Sequence, residues 1–520
     1  MLALLSCAAV TLLTSPTKRV VVVGGGFAGL TAARGLAKLK NVEVLLADQR
    51  TYFEYTPGIL RAWVKPETHR WLVNPIPKLL PKRAAFQRVL PGYTTRIFER
   101  DDDFCSVSDE ELCACPLRLT MKSSKGETIL DYPCDYVVLA TGGELGPVSD
   151  DRQTADGSIA ARRARLEAQV RAVMQNSTSA LVIGGGLTGV ELAAECAEHF
   201  ARGSVTLAVG PTQASRGTGA DGDCGDGILP GFASARGLDA RTRVIPYVRQ
   251  WLDRSGVRVL ERWAVPPPVS STISDGGVAA FYPKCARSWR DGGDGAKPLS
   301  WEEAGAGADL AADAVFDCRG LRPNNARAYG VRQSYAFRPN LPLDGARPDG
   351  ATAGGVGGLP DDVVDTSGWL IVDDRFRLSR ARQASGSALE RARTVLEPAY
   401  GGRVYCCGDA ACKDKGERTA ANAHAEGEYV ATAIAREIRR KRPMPPYVRP
   451  LRLTAVSLGK WDGVIVLASW VALRGWLAAI GKQFIQWYFV NFLPLPYWLL
   501  RRLPGSQPRT PYEVDPRMSY

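Results

Sequence analysis

The chain has 520 residues, 45% of them hydrophobic, which suits a globular protein of two to four domains with a large buried core. Lys plus Arg outnumber Asp plus Glu by 66 to 54, a net charge of +12. The 12 cysteines are scattered with no C-x-x-C pair, and His69, His199 and His424 lie far apart, so neither a zinc site nor a disulfide scaffold is supported.

Thiols in a long chain suit a reducing compartment. The basic excess gathers at Arg436, Arg439, Arg440, Lys441, Arg442, Arg449 and Arg452. Beside an apolar tail this run suits an anionic membrane surface, or equally a solvated helix end. Aromatics are not interleaved with it, which makes nucleic acid the weaker partner.

Residues 1–17 read as a leader. Met1 to Leu13 is apolar, lacks a basic stretch and is too short to span a bilayer. Val20-Val-Val-Val-Gly24-Gly-Gly26-Phe-Ala-Gly29 then reads as a β-branched strand running into G-x-G-x-x-G at the start of a helix. The first glycine permits the tight turn, the second admits a pyrophosphate to the backbone, and the third lets helix and strand pack closely. A second strand from Val42 ends in Asp48, about 20 residues past the glycines, where an acid holds a ribose hydroxyl. Disulfide reductases carry C-x4-C just beyond; here the stretch Thr51 to Leu60 has no cysteine, which argues against dithiol chemistry.

Residues 117–121 and 128–132 suggest a hairpin around Lys125-Gly126, and an apolar strand from Tyr136 ends in Ala140-Thr141-Gly142. Arg162 to Met174 reads as a helix. The opening pattern then recurs as Ala180-Leu-Val-Ile-Gly184-Gly-Gly186-Leu-Thr-Gly189-Val-Glu191. Two dinucleotide sites in one chain allow one nucleotide to deliver electrons to another. After the next strand, Ser204 to Val209, comes Gly210 and no acid. An acid there would repel a 2′-phosphate, so NADPH as well as NADH is admitted. Arg216 falls in a Gly/Asp/Ser-rich insertion, 213–237, and is assigned no role.

Val244 to Leu252 reads as a helix, Gly256 to Leu260 as a strand, and Asp313 to Asn324 as a strand ending in Gly320-Leu-Arg-Pro323-Asn324. Residues 339–368 form a Gly/Pro/Asp-rich loop or insertion, and Trp369 to Leu378 reads as strands. Arg403 to Cys407 is a strand running into Gly408-Asp409, where an acid suits a polyol hydroxyl; a helix follows from Ala420 to Arg440. From Val464 the tail is apolar but interrupted by Arg474, Lys482, Pro494 and Pro496. Trp470, Trp476, Trp487, Tyr488, Tyr497 and Trp498 sit among Arg474, Lys482, Arg501 and Arg502, a mixture that favours lying in a membrane interface over crossing it. The alternative is a helix packed on the core or on a second subunit, and a homodimer stays open.

In this order, the two glycine fingerprints, the acid, Ala-Thr-Gly, Gly-x-x-Pro-Asn and Gly-Asp before a helix resemble the flavoproteins with two dinucleotide-binding domains. Within them the chain looks most like the type II NAD(P)H:quinone oxidoreductases and the related apoptosis-inducing-factor-like, ferroptosis-suppressor branch. Leu453-Thr-Ala-Val-Ser457-Leu-Gly459-Lys-Trp-Asp462-Gly463-Val464 also resembles that branch.

The resemblance implies an α/β fold of two Rossmann-like domains. An FAD domain (18–150 and 369–442) is interrupted by an NAD(P)H domain (175–325), and a membrane-associating segment follows (443–520). Gly24, Gly26, Gly29 and Asp48 would hold the ADP moiety of FAD, Thr141 and Gly142 would line it, and Gly408-Asp409 would bind its ribityl chain. The helix from Ala420 would face the isoalloxazine. Gly184, Gly186 and Gly189 would hold NADH or NADPH, with Glu191 as the catalytic-site acid near the nicotinamide. The implied reaction is hydride transfer to flavin, then reduction of a quinone without proton pumping or a metal. The attachment implied is peripheral, on the cytoplasmic side of a membrane, with a mitochondrion or plastid left open.

Type II enzymes often carry glutamines near the start of the last helix; here the stretch is Thr419-Ala-Ala-Asn422-Ala-His424, with Asn422 and His424 as polar substitutes or solvent-facing residues. Two rivals stay open. One is a flavoprotein reductase with a soluble acceptor, such as a small iron–sulfur protein or ascorbate radical. The other is a flavoprotein whose cofactors gate association with a partner or nucleic acid.

Overall fold

A computed structural model describes residues 17–89, 96–99, 115–122, 129–145, 157–175, 177–209, 228–229, 243–261, 263–264, 270–274, 277–281, 287–288, 312–318, 321–324, 359–365, 368–383, 394–412, 418–468, 471–492, 502 and 507–508. The leader, Arg216 with nearly all of the 213–237 insertion, residues 339–358, Gly320, Trp470 and the tail residues from Pro494 to Arg501 lie outside the described residues.

The first unit opens with β1 (Lys18–Val23), α1 (Phe27–Leu36), β2 (Val42–Asp48) and β3 (Ala84–Arg88). An antiparallel group follows, β4 (Arg96–Glu99), β5 (Leu117–Lys122) and β6 (Ile129–Cys134), then β7 (Tyr136–Leu139). Helix α2 (Ile159–Val170) leads into β8 (Ala180–Ile183), α3 (Leu187–Ala197), β9 (Val205–Val209), α4 (Val244–Arg254), β10 (Arg258–Glu261) and β11 (Ala314–Asp317). Next come β12 (Val404–Cys406) and α5 (Ala420–Ile438). The chain continues with β13 (Leu453–Leu458), β14 (Asp462–Leu467), β15 (Val471–Arg474) and α6 (Trp476–Val490).

Two parallel sheets result, ordered β12-β7-β1-β2-β3 and β10-β9-β8-β11. Val20 to Val23 are all buried because a parallel sheet is covered on both faces, which is why β1 is a run of valines and not an alternating strand. The second sheet is inserted whole into the first: β12, far along the chain, returns to pair with β7. Helix α5 lies on α1 at close range because both contribute small residues. A Cβ on Gly427 would strike the Ala28 carbonyl, and one on Gly35 would meet the Ala431 methyl.

The sequence expectations hold for the β5–β6 hairpin, whose strands pair from Leu117↔Cys134 to Lys122↔Ile129. They need correction in three places. The helix expected over 162–174 spans Ile159–Val170, capped by Ser158, and then loosens into a π-helical turn, Arg171–Gln175. Residues 369–378 make only isolated bridges. The Asp373 carboxylate takes the backbone N–H groups of Arg375 and Arg377, competing with a strand ladder, and Phe376 sits at positive φ. The apolar tail divides in two: β14 and β15 are the central and one edge strand of a three-stranded antiparallel sheet, and the helix begins only after Gly475, at φ 77°.

Candidate active site

The two glycine fingerprints form the same cradle twice. Gly24 (φ +108°) and Gly184 (φ +117°) adopt backbone that only glycine takes readily, and a side chain on Gly24 would strike the Ala140 carbonyl at the end of β7. A side chain on Gly29 would collide with the carbonyl of Gly24, and one on Gly189 with that of Gly184. Gly26 and Gly186 differ: a Cβ there meets nothing within 4 Å. Each of these two glycines is also a helix N-cap with no side-chain acceptor, so the first-turn N–H groups of α1 and α3 are presented to an outside anion. Open space at the second glycine and contact at the first and third fit a dinucleotide pyrophosphate at each sheet.

Asp48 ends β2 beside the first cradle, and its two oxygens accept the N–H groups of Gly25 (2.5 Å) and Arg50 (2.7 Å). A carboxylate has further lone pairs to offer a ribose hydroxyl. Thr141 and Gly142 are tied by Asn324, whose side-chain amide donates to the Thr141 carbonyl (2.8 Å) and whose N–H donates to that of Gly142 (3.1 Å). The Pro323-Asn324 motif therefore clasps the inserted unit to the first sheet.

Gly408, at φ +71°, donates its N–H to the buried Glu426 of α5 (2.8 Å), a residue the sequence reading passed over. Asp409 follows in a short 3-10 turn and is half-buried; its carbonyl accepts from Arg418, which stacks on the Trp369 ring at 3.4 Å. Ala420 opens α5, capped by Thr419. Asn422 and His424 are both buried, which removes the solvent-facing alternative. His424 Nδ1 lies 2.7 Å from the Thr31 hydroxyl and its ring touches those of Phe489 and Phe492. Burial and then the charge of Arg34 hold its imidazole down to about 4, so it is neutral near pH 7.

Glu191 does not stand alone beside its cradle. Its carboxylate is paired with the ammonium of Lys482 on α6 and accepts the N–H of Ser457 at 2.6 Å. One helical turn along α3, Glu195 accepts from Arg61 (3.0 Å), which also reaches Glu198 (3.3 Å). These contacts join the inserted unit, the first unit and the C-terminal segment around one cavity. Phe27, Phe53 and Tyr55 pack on Phe489 and Phe492 with ring centroids 4.6–6.3 Å apart. A second network was not legible beforehand: fully buried Glu54 accepts from Arg162 (3.0 Å) and His69 (3.0 Å). Burial pushes Glu54 up, but Arg162's charge and the two hydrogen bonds more than reverse this and hold it at about 2.

On the opposite face of α6, Trp476, Leu477, Ile480, Phe484 and Trp487 are each half or more exposed. None of the described helices is long and apolar enough to cross a membrane. No group of His, Cys, Asp and Glu among the described residues is placed to hold a metal ion.

Two parallel sheets, one inserted in the other and each ending in a glycine cradle, give the chain a fold with two dinucleotide-binding cradles. FAD, with NADH or NADPH as co-substrate, is what the two cradles fit. The comparisons agree. Residues 18–217 match the family described as pyridine nucleotide-disulphide oxidoreductase. The human ferroptosis suppressor protein 1 is 30% identical over 188 residues, covering 36% of this chain and 43% of that protein. The external alternative NADH-ubiquinone oxidoreductase of Yarrowia lipolytica is 25% identical over 202 residues, covering 35% of this chain and 32% of that protein. The match thus spans well under half the length of these curated relatives. The sulfide:quinone oxidoreductase of Aquifex aeolicus shares the fold with a TM-score of 0.53 and 14% identity, over 96% of this chain and 98% of that one. The family description mentions a disulphide, yet this chain has no cysteine between Cys7 and Cys105.

Proposed function

We propose that the chain is an FAD enzyme that takes a hydride from NADH or NADPH and reduces a quinone at a membrane surface. The observation that carries this reading is the repeated cradle, open at Gly26 and Gly186 and closed at Gly29 and Gly189. FAD, when bound, supplies a carrier that accepts two electrons from a nicotinamide and passes them on.

The protein's part is to hold and orient. Gly24, Gly26 and Gly29 with the N-terminus of α1 bind the flavin pyrophosphate, and Asp48 takes the ribose. Thr141 and Gly142 would line the ADP moiety, Gly408 and Asp409 would hold the ribityl chain, and the start of α5 at Ala420 would lie on the ring side. Gly184, Gly186 and Gly189 would hold the nicotinamide dinucleotide, with Glu191 as the candidate acid of that site. No acid follows β9, so neither nucleotide is repelled there.

The relatives named for ubiquinone and quinone chemistry support a quinone acceptor. The exposed aromatic stripe of α6, on a chain of net charge +12, supports peripheral attachment to an anionic membrane. The test is an anaerobic titration with NADH and then NADPH, following the flavin absorption band. Bleaching by a stoichiometric nucleotide, and reoxidation by an added quinone, is the expected result. A flavin band that neither nucleotide bleaches overturns the reading.

A further inference from the structure

The cavity beside Glu191 is walled by α3, the segment Pro57–Arg61, the β13–β14 turn and α6. Its carboxylates Glu191 and Glu195 already have cations, Lys482 and Arg61. The charges in the lining, Arg61, Lys460 and Lys482 against Glu191, Glu195 and Asp462, balance, so the cavity suits a neutral ligand. Besides the Ser457 hydroxyl, which accepts from Lys482, the neutral side-chain donors in its wall are the amides of Gln483 and Gln486. Neither is used by a hydrogen bond among the described residues.

Their place on the helix is the telling feature. At about 100° per residue, the order around α6 runs from Lys482 on the inner face to Gln486, Gln483 and then the exposed Trp487, Ile480 and Phe484. The surface passes from ion pair to amide to hydrocarbon within half a turn of the helix circumference. A molecule with a neutral carbonyl-bearing ring and an apolar tail matches that gradient end to end.

We infer that Gln483 and Gln486 form the head-group site of the acceptor, donating their amides to the carbonyl oxygens of a quinone whose tail lies along Ile480, Phe484 and Trp487. This rests on the quinone reading above and gives it a place. It also places glutamines, absent from Thr419–His424, on a different helix.

The experiment uses the full flavin-loaded chain in detergent micelles, with a decyl-tailed benzoquinone and with ferricyanide as a soluble acceptor. Gln483→Leu and Gln486→Leu each remove one hydrogen bond, so each raises the quinone KM roughly threefold to tenfold. The nucleotide KM and the ferricyanide rate stay unchanged. An azido-benzoquinone photoprobe on the unaltered protein labels the peptide Trp476–Val490, a readout independent of how well the variants fold. A double variant whose quinone KM stays within about twofold of the parent, or a label elsewhere, overturns the site while leaving quinone reduction intact. A parent protein that reduces ferricyanide but no quinone overturns the underlying reading and the site with it.

Discussion

Lys482, on the helix nearest the C-terminus of the described chain, forms an ion pair with Glu191, 291 residues away in the first turns of α3. Ser457 completes the contact, its N–H on the carboxylate and its hydroxyl on the ammonium. The acid assigned to the nicotinamide side is therefore held by the segment that carries the exposed aromatic face.

That pair is mostly buried, with 14% and 8% of the two side chains exposed. Removing one partner leaves the other charge poorly compensated. Lys482→Met is expected to cost about 1–3 kcal/mol in urea unfolding. Adding Glu191→Gln to it recovers part of the loss, a coupling read from the double-mutant cycle. Additive losses would show that the two side chains do not interact.

Glu54 gives a pH dependence. Its folded pKa, about 2, lies below the ordinary 4.5, so its contribution is full above about pH 4.5 and is lost as pH falls towards 2. The shift corresponds to something on the order of 3 kcal/mol. Glu54→Gln flattens the acid limb of the stability curve in that window. A limb of unchanged slope would remove Glu54 as its source.

His424 acts in a higher window. Its folded pKa, about 4, is depressed from 6.5, so the stability it confers is complete above about pH 6.5 and declines as pH falls through 4. Nitrogen NMR of labelled imidazole is expected to show a neutral ring at pH 6 and a midpoint near 4. A midpoint near 6.5 would mean the ring is solvated and not packed against Phe489 and Phe492.

The glycines divide into two kinds. Gly186→Val places its side chain in open space on ordinary extended backbone, so stability changes by only about 0.5 kcal/mol while nicotinamide binding is lost. Gly189→Ala drives a methyl into the Gly184 carbonyl and is expected to destabilise the inserted unit itself. Calorimetry of both variants with and without NADH separates the two effects. An unchanged NADH affinity in Gly186→Val would place the nucleotide elsewhere.

Asp409→Ala is expected to weaken flavin retention, measured as the ratio of flavin to protein absorbance after gel filtration. Full occupancy in the purified variant would refute the assignment of Asp409 to the ribityl chain.

The amino-acid sequence by itself determined the two cradles, because their requirements are local: a positive φ, an open backbone and a close helix are each demanded by one glycine within a few residues of its strand. That one dinucleotide-binding domain interrupts the other was implied only by the resemblance carried by the order of the motifs, not by any single strand. Tertiary structure alone decided the rest. Asn422 and His424 read alike as exposed or buried until α1 and the C-terminal aromatics closed over them. The apolar tail read as one stretch, and only packing split it at Gly475 into sheet and helix. The partners of Glu191, Glu54 and Thr141 lie up to 291 residues away, and no local pattern encodes a pairing that is set by which faces of distant elements are buried together.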